Sequence, residues 1–170
     1  MNNTVLKILC FLFFLISPAY AESVPQVSSP IHKLRSESTS YSVYSGSEKL
    51  WKIHARSVKG SSQKLNAFHI KGALYRDQKT AYYLISPLAV LNLLTGDVFF
   101  PEGALLYGRK GEVVQVHWLV WDKDEKKFIG TKGVRIIRKH SILQGENLIL
   151  EKNFKDLILQ GHVKVKLIQK

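Results

Sequence analysis

The sequence has a single cysteine, and its position makes the shortage informative. Cys10 lies in an apolar run near the N-terminus. If that run is removed on export, the remaining chain has no thiol, which excludes disulfides, thiolate metal sites and a cysteine nucleophile. The domain that follows has to be held together by its own apolar core.

Motifs for catalysis and for cofactor binding are also missing. The six histidines do not recur at the spacing of metal ligands. The acidic run Asp122 to Glu125 lacks the glycine and the final glutamate of a calcium loop. Neither a G-x-S-x-G elbow nor a phosphate-binding glycine loop is present. We therefore predict no catalytic residues, no metal, no cofactor and no enzyme activity.

The first 21 residues have the order of an export signal. Lys7 precedes the apolar run Ile8 to Ile16, and the segment ends in Ala19-Tyr20-Ala21. The uncharged stretch is shorter than the ~20 residues of a membrane-spanning helix. We expect cleavage after Ala21, and the alternative is that residues 1–21 remain as an N-terminal membrane anchor.

The formal net charge of +12 favours anionic partners. For an exported protein these are lipid phosphates, lipopolysaccharide and acidic glycans, so we predict no nucleic-acid binding. The alternative is that the charge only keeps the domain soluble.

Beyond the signal, composition divides the chain into two parts. Residues 22–47 are rich in serine and poor in large apolar residues, which predicts a flexible linker. Residues 48–170 have the length of one ordinary domain. Within them apolar and polar residues alternate with a period of two, as in Val114, Val116, Trp118 and Val120. Many short strands separated by turn residues predict an all-β sandwich, barrel or jelly roll.

The stretch from Leu150 to Ile158 also fits the apolar stripe of a helix. We predict instead two strands joined by a turn at Lys152-Asn153, because alternation continues from Leu157 to Leu167. Other strands, such as Tyr82 to Ile85 and Val98 to Phe100, carry large apolar residues on both faces. Either these strands are covered on both sides, or the interior is wide enough to take an apolar ligand.

Several short motifs occur in a characteristic order across residues 48–170. They are Trp51-x-x-x-Ala55, Leu74-Tyr75-Arg76-Asp77, Ser86-Pro87, Gly96-Asp97-Val98, Leu119-Val120-Trp121-Asp122, Gly133-Val134-Arg135-Ile136, Gly145-x-x-Leu148 and Leu159-Gln160-Gly161-His162-Val163. In this order the chain resembles the periplasmic domain of the LptC family of lipopolysaccharide-transport proteins. The soluble LptA proteins, which share the fold, are the next most similar.

The resemblance implies a twisted, V-shaped two-sheet β-jelly roll whose interior holds the acyl chains of lipopolysaccharide. It implies a periplasmic protein, either soluble or tethered to the inner membrane, that receives the lipid from an inner-membrane ABC transporter and passes it to the next jelly roll. On this basis we assign ten residues to the lipid-binding interior: Tyr83, Ile85, Val98, Phe100, Val116, Trp118, Val120, Ile136, Leu159 and Val163.

The regular strand from Leu157 to Ile168 is expected to lie at a sheet edge, and exposed edges invite pairing with another chain. The residues assigned to this partner edge are Leu157, Leu159, Gly161, Val163, Val165 and Leu167. The expected partners are other Lpt jelly-roll proteins, the periplasmic domains of the transporter and a second copy of this chain. Two competing hypotheses are a structural or interaction module with a filled core, and an envelope hydrolase, for which no pair of inward carboxylates is evident.

Overall fold

The computed structural model describes residues 34–152 and 154–168. This part of the chain forms twelve β-strands: β1 (Leu34–Ser45), β2 (Glu48–Gly60), β3 (Lys64–Arg76), β4 (Lys79–Asn92), β5 (Val98–Phe100), β6 (Ala104–Gly108), β7 (Val113–Asp122), β8 (Lys127–Arg138), β9 (Ser141–Gly145), β10 (Asn147–Leu150), β11 (Leu157–Gln160) and β12 (Lys164–Leu167). None of the described residues belongs to a helix that could cross a membrane.

All twelve strands belong to one antiparallel sheet. Strands β1 to β5 are neighbours in sequence order and are followed by β7, β8, β10 and β11. Strand β6 pairs with β4 and β7, while β9 lies between β8 and β12. The predicted all-β jelly-roll class is confirmed, and its two layers prove to be parts of a single hydrogen-bonded sheet.

The sheet is interrupted along one line that crosses every long strand. Pairing of β2 with β3 stops at Ala55 and Ile70 and resumes at Ser57 and Phe68. The register of β7 against β8 shifts between Val116 and Trp118. We call this line the crease, and it comprises Ser38, Arg56, His69, Pro87, His117, Lys132, Gly133, Glu146, Gly161 and His162.

Backbone geometry explains why the sheet bends at the crease. His69 and Lys132 have φ values of 53° and 62°, in the left-handed region that non-glycine residues rarely adopt. Pro87 has no N–H to donate to a ladder. Such irregularities bend strands and increase their twist. The sheet therefore folds over at the crease into two layers.

We call the two layers A and B. Layer A contains β6, β9 and β12, and layer B contains β5, β10 and β11; each of β1 to β4, β7 and β8 crosses the crease and contributes to both. The inner faces meet in an aromatic cluster. The ring of Trp51 in layer A lies 5.4 Å from that of Trp121 and 5.7 Å from that of Phe128, both in layer B. Burying each large apolar side chain contributes about 1.5–3 kcal/mol.

The prediction of a linker up to residue 47 is wrong for residues 34–45, which form β1. This strand has few apolar residues, but its backbone pairs with β2 from Leu34 to Ser45. Main-chain hydrogen bonds do not depend on side-chain polarity, so composition alone missed the strand. Tyr41 and Val43 also pack against the core. The predictions for residues 1–21 and for the first part of the linker lie outside the described residues.

The C-terminal segment confirms one prediction and corrects another. Strands β10 and β11 flank Lys152, as predicted, and Asn153 of the predicted turn lies outside the described residues. The single regular strand predicted from Leu157 to Ile168 is wrong. Left-handed φ values at Gly161 (71°) and His162 (36°) break it at the crease. Its first part pairs with β10 and its second part with β9.

Candidate functional site

The inner faces of the two layers are apolar almost throughout. Buried hydrophobic residues from both layers form one cluster, and Ser86 is the one buried polar side chain among the described residues. The Ser86 hydroxyl lies 2.7 Å from the carbonyl oxygen of Gly103, so its hydrogen bonding is satisfied. The interior therefore offers a continuous apolar surface on both sides of the fold.

Two polar atoms in this interior have no partner. Trp51 and Trp121 are fully buried, yet neither indole N–H has a hydrogen-bond acceptor within the described part of the chain. Buried indole N–H groups usually find an acceptor. Both unpaired donors belong to the same ring contact in the aromatic cluster.

Half of the ten residues assigned to the interior lie on the inner face. Val98, Phe100, Val116 and Ile136 are at most 2% exposed and belong to the core cluster. Leu159 is half-buried and packs against the same cluster. In this structure their side chains are covered by protein, so their part in lipid binding stays a prediction.

Trp118 and Val120 lie on the outer face of layer B, which corrects their assignment to the interior. The interruption of β7 at His117 shifts the alternation by one residue, so the inner face continues at Leu119 and Trp121. A one-residue shift moves every later side chain of a strand to the other face. The unbroken alternation from Val114 to Val120 gave no sign of this shift.

Tyr83, Ile85 and Val163 are exposed rather than interior. Tyr83 and Ile85 are 57% and 44% exposed, and their neighbours Tyr82 and Leu84 take the inner face of β4. Residues on both faces of this strand are apolar, so periodicity could not show which face points inward. Val163 is 48% exposed and lies in the link between β11 and β12.

An open cavity of about 520 Å³ lies at the crease. His69, Lys71, Glu102 and His117 contribute its polar lining. Nδ1 of His117 lies 3.1 Å from the carbonyl oxygen of Gly133. These residues come from three distant parts of the sequence, so spacing could not have revealed the cavity. Within residues 34–152 and 154–168 no histidine, aspartate and glutamate side chains cluster as a metal site.

A second open cavity, of about 600 Å³, lies on the outer face of layer B. Val90, Phe99 and Trp118 form its apolar wall. Nζ of Lys132 lies 4.3 Å from the centroid of the Trp118 ring, close enough for a cation–π contact. Trp118 therefore has a cationic neighbour on the outer face of layer B.

Three strands form the edges of the sheet. Among the described residues, β1 pairs only with β2, β11 only with β10 and β12 only with β9. Leu157 and Leu159 of the predicted partner edge turn inward and are half-buried, whereas Val165 and Leu167 are 60% and 74% exposed. Gly161 lies in the break between β11 and β12. Leu157, Leu159, Val165 and Leu167 thus belong to edge strands, and their pairing with another chain stays a prediction.

The comparisons with known proteins are sparse. No family model matches the chain, and no curated protein matches it. One similar solved structure is LptH from Pseudomonas aeruginosa, the LptA-homologous periplasmic component of its lipopolysaccharide transport device. The two chains are 5% identical with a TM-score of 0.30, over 81% of this chain and 94% of that one. At this level the likeness carries no functional conclusion.

Proposed function

We propose that the protein is a periplasmic lipopolysaccharide-binding component of an Lpt-type transport bridge. It acts without catalysis, and it holds the acyl chains of the lipid between layers A and B. The observation that carries this proposal is the apolar character of both inner faces, which belong to one sheet folded along the crease.

Acyl chains could enter between the layers at a modest cost in free energy. The layers are joined by strands that bend at the crease, and elsewhere side-chain packing holds them together. Each methylene of an acyl chain that leaves water contributes about 0.8 kcal/mol. Acyl chains that enter between the layers would therefore replace apolar contacts between side chains with apolar contacts between side chains and lipid. The unpaired N–H groups of Trp51 and Trp121 would find acceptors in the ester and amide carbonyls of the lipid.

The exposed edges support a place in a series of jelly rolls. The lipid would arrive from an inner-membrane ABC transporter and leave to the next jelly roll through pairing at β1 or at β11 and β12. Direction would come from ATP hydrolysis by the transporter, because the sequence has no nucleotide-binding motif.

Photo-crosslinking tests the interior directly. Leu159 faces the core, and its neighbour Ile158 is 42% exposed on the opposite face of β11. Leu143 and Ile142 form a second comparison on β9, since only Leu143 packs against the core. A photoreactive residue at 159 or 143 should capture lipopolysaccharide in cells, and one at 158 or 142 should not. Equal labelling of both faces, or none from either inner position, would refute the proposal.

A structural or interaction module is the second candidate, and the 0% exposure of Phe100 and Trp121 favours it, since the core is already filled by side chains. Such a module predicts that none of the four photoreactive variants captures lipopolysaccharide, although all four retain the native fold.

The mass of the mature N-terminus separates two forms of the proposed carrier. A chain that begins at Glu22 and fractionates with soluble periplasmic proteins would act as LptA proteins do. An intact chain from Met1 in the membrane fraction would correspond to an anchored, LptC-like protein.

A further inference from the structure

Charge is divided unevenly between the two layers. Layer A and the turns joining its strands carry twelve lysines and arginines against Glu48, Asp77 and Glu112. The twelve are Lys49, Lys52, Lys71, Arg76, Lys79, Arg109, Lys110, Arg135, Arg138, Lys139, Lys164 and Lys166. The other described residues carry ten cations against nine acids. The positive charge of the described sheet is therefore concentrated on layer A.

The outer face of layer A also has an apolar centre. One row of cross-strand neighbours runs from β4 to β9 and consists of Tyr83, Tyr107, Val113, Ile137 and Ile142. Neighbouring strands lie about 4.8 Å apart, so the row is about 19 Å long. It points away from the core, because the inner positions of β4, β6, β7 and β8 are filled by other residues.

Cations flank this apolar row on both sides, and the next row also contains cations. Beyond Tyr83 the row continues through Ala73 to Lys52, and beyond Ile142 it continues to Lys166. The parallel row passes from Lys71 to Lys164 through Ile85, Leu105, Gln115, Arg135 and Gln144. The ion pairs Lys127–Glu125 and His162–Glu146 of the described residues include no cation of layer A. Lys49 lies over the rings of Tyr44 and Tyr75, and such contacts leave the charge of a lysine without a neutralising carboxylate.

We infer that the outer face of layer A docks on the anionic surface of a phospholipid bilayer. Tyr83 and Tyr107 are 57% and 37% exposed, and tyrosine rings with a polar tip favour the membrane–water interface. Lysine and arginine stems can lie along the apolar row while their charges reach lipid phosphates. An acidic protein could neutralise these charges, but it would also need an apolar surface that is complementary to the tyrosine row. The inference does not depend on what the interior binds.

Charge removal tests the docking with a matched control. The full chain is mixed with phosphatidylcholine vesicles that contain or lack phosphatidylglycerol, and sedimentation measures binding. Arg109→Gln with Lys110→Gln removes two cations from a layer A turn, and Lys123→Gln with Lys126→Gln removes two from a layer B turn. Because each cation near an anionic membrane contributes about fivefold in affinity, the first pair should weaken binding about 25-fold and the second by less than about twofold.

Several results would overturn the inference. These are equal binding to vesicles with and without phosphatidylglycerol, equal losses from the two pairs of substitutions, and no loss from the first pair. The N-terminal apolar run is present in every variant, so its contribution is the same throughout. Thermal melting followed by circular dichroism checks that both variants keep the native sheet.

A second measurement reports contact at the tyrosine row itself. Tyr107→Trp places an indole on the outer face of layer A, whereas the native Trp118 lies on the outer face of layer B. Brominated phosphatidylglycerol should quench the fluorescence of the introduced indole, so that total quenching in the variant well exceeds the quenching seen in the native chain. Binding without this extra quenching would place the contact elsewhere and would refute the inference.

Discussion

The rings of Trp51 and Trp121 meet nearly edge to face, with centroids 5.4 Å apart and an interplanar angle of 72°. They come from opposite layers, so their contact ties the two parts of the folded sheet together. Phe128 lies 5.7 Å from the first ring and 5.0 Å from the second, which makes the three aromatic residues a single packing unit.

Truncating this unit should lower stability strongly. We expect Trp121→Ala to reduce the free energy of unfolding by about 3–5 kcal/mol, because it leaves a large cavity between the layers. Trp118→Ala, on the outer face of the same strand, should reduce it by about 1 kcal/mol or less. Denaturation in urea measures both. Losses of similar size would mean that Trp121 does not join the layers.

Alanine substitutions at two glycines distinguish the effect of backbone strain from the effect of close packing near the crease. Gly103 and Gly111 have φ values of 84° and 82°, so alanine is strained at both by about 1–2 kcal/mol. A Cβ at residue 103 would lie 2.6 Å from the carbonyl oxygen of Val116, whereas one at residue 111 would meet nothing within 4 Å.

We therefore expect Gly103→Ala to destabilise the fold by about 1–3 kcal/mol more than Gly111→Ala. Chemical denaturation of the two variants, measured side by side, tests the difference. If the two losses agree, the turn that follows β5 does not pack closely against β7.

These contacts show where sequence patterns were sufficient and where they were not. Alternation in β7 predicted a strand and correctly placed Val114 and Val116 on one face. The irregularity at His117 could not be predicted, because histidine fits an ordinary strand and the shift arises where two residues of the next strand, Lys132 and Gly133, lie opposite the single residue His117. The composition of β7 alone does not encode that register.

The edges and the double-sided strands escaped prediction for other reasons. Strand β1 is held by the ladder to β2, and its serine-rich composition resembles that of a linker. In β4 the inner residue Tyr82 and the outer residue Tyr83 have the same side chain, so nothing local distinguishes their faces. The apolar row on layer A became visible only when the registers of five strands were known.

Alkaline pH should weaken the fold through Tyr82. Burial, followed by the nearby Glu112 carboxylate, raises the pKa of its hydroxyl above the ordinary value of 10.0. A raised pKa in the folded state means that the stabilisation is present in full below pH 10.0 and is lost as the pH rises towards the folded-state pKa.

We expect the free energy of unfolding of the native chain to fall more steeply above pH 10.0 than that of Tyr82→Phe. Urea titrations across this range provide the test. A native curve parallel to that of Tyr82→Phe would show that ionisation of this hydroxyl is not coupled to folding.

Proline can determine whether the edge strand β12 pairs with another chain. In an antiparallel strand, successive residues direct their N–H groups to opposite sides. Of Val165 and Lys166, one therefore donates towards β9 and the other towards the open edge.

Proline at the position that donates towards β9 removes a ladder hydrogen bond and lowers the melting temperature. Proline at the position that donates towards the open edge should leave stability nearly unchanged but abolish association through this edge. Analytical ultracentrifugation over a range of concentrations, together with thermal melting, distinguishes the two variants. If the variant of native stability associates as the native chain does, β12 is not the docking edge, and any association must use β1, β11 or a side-chain surface.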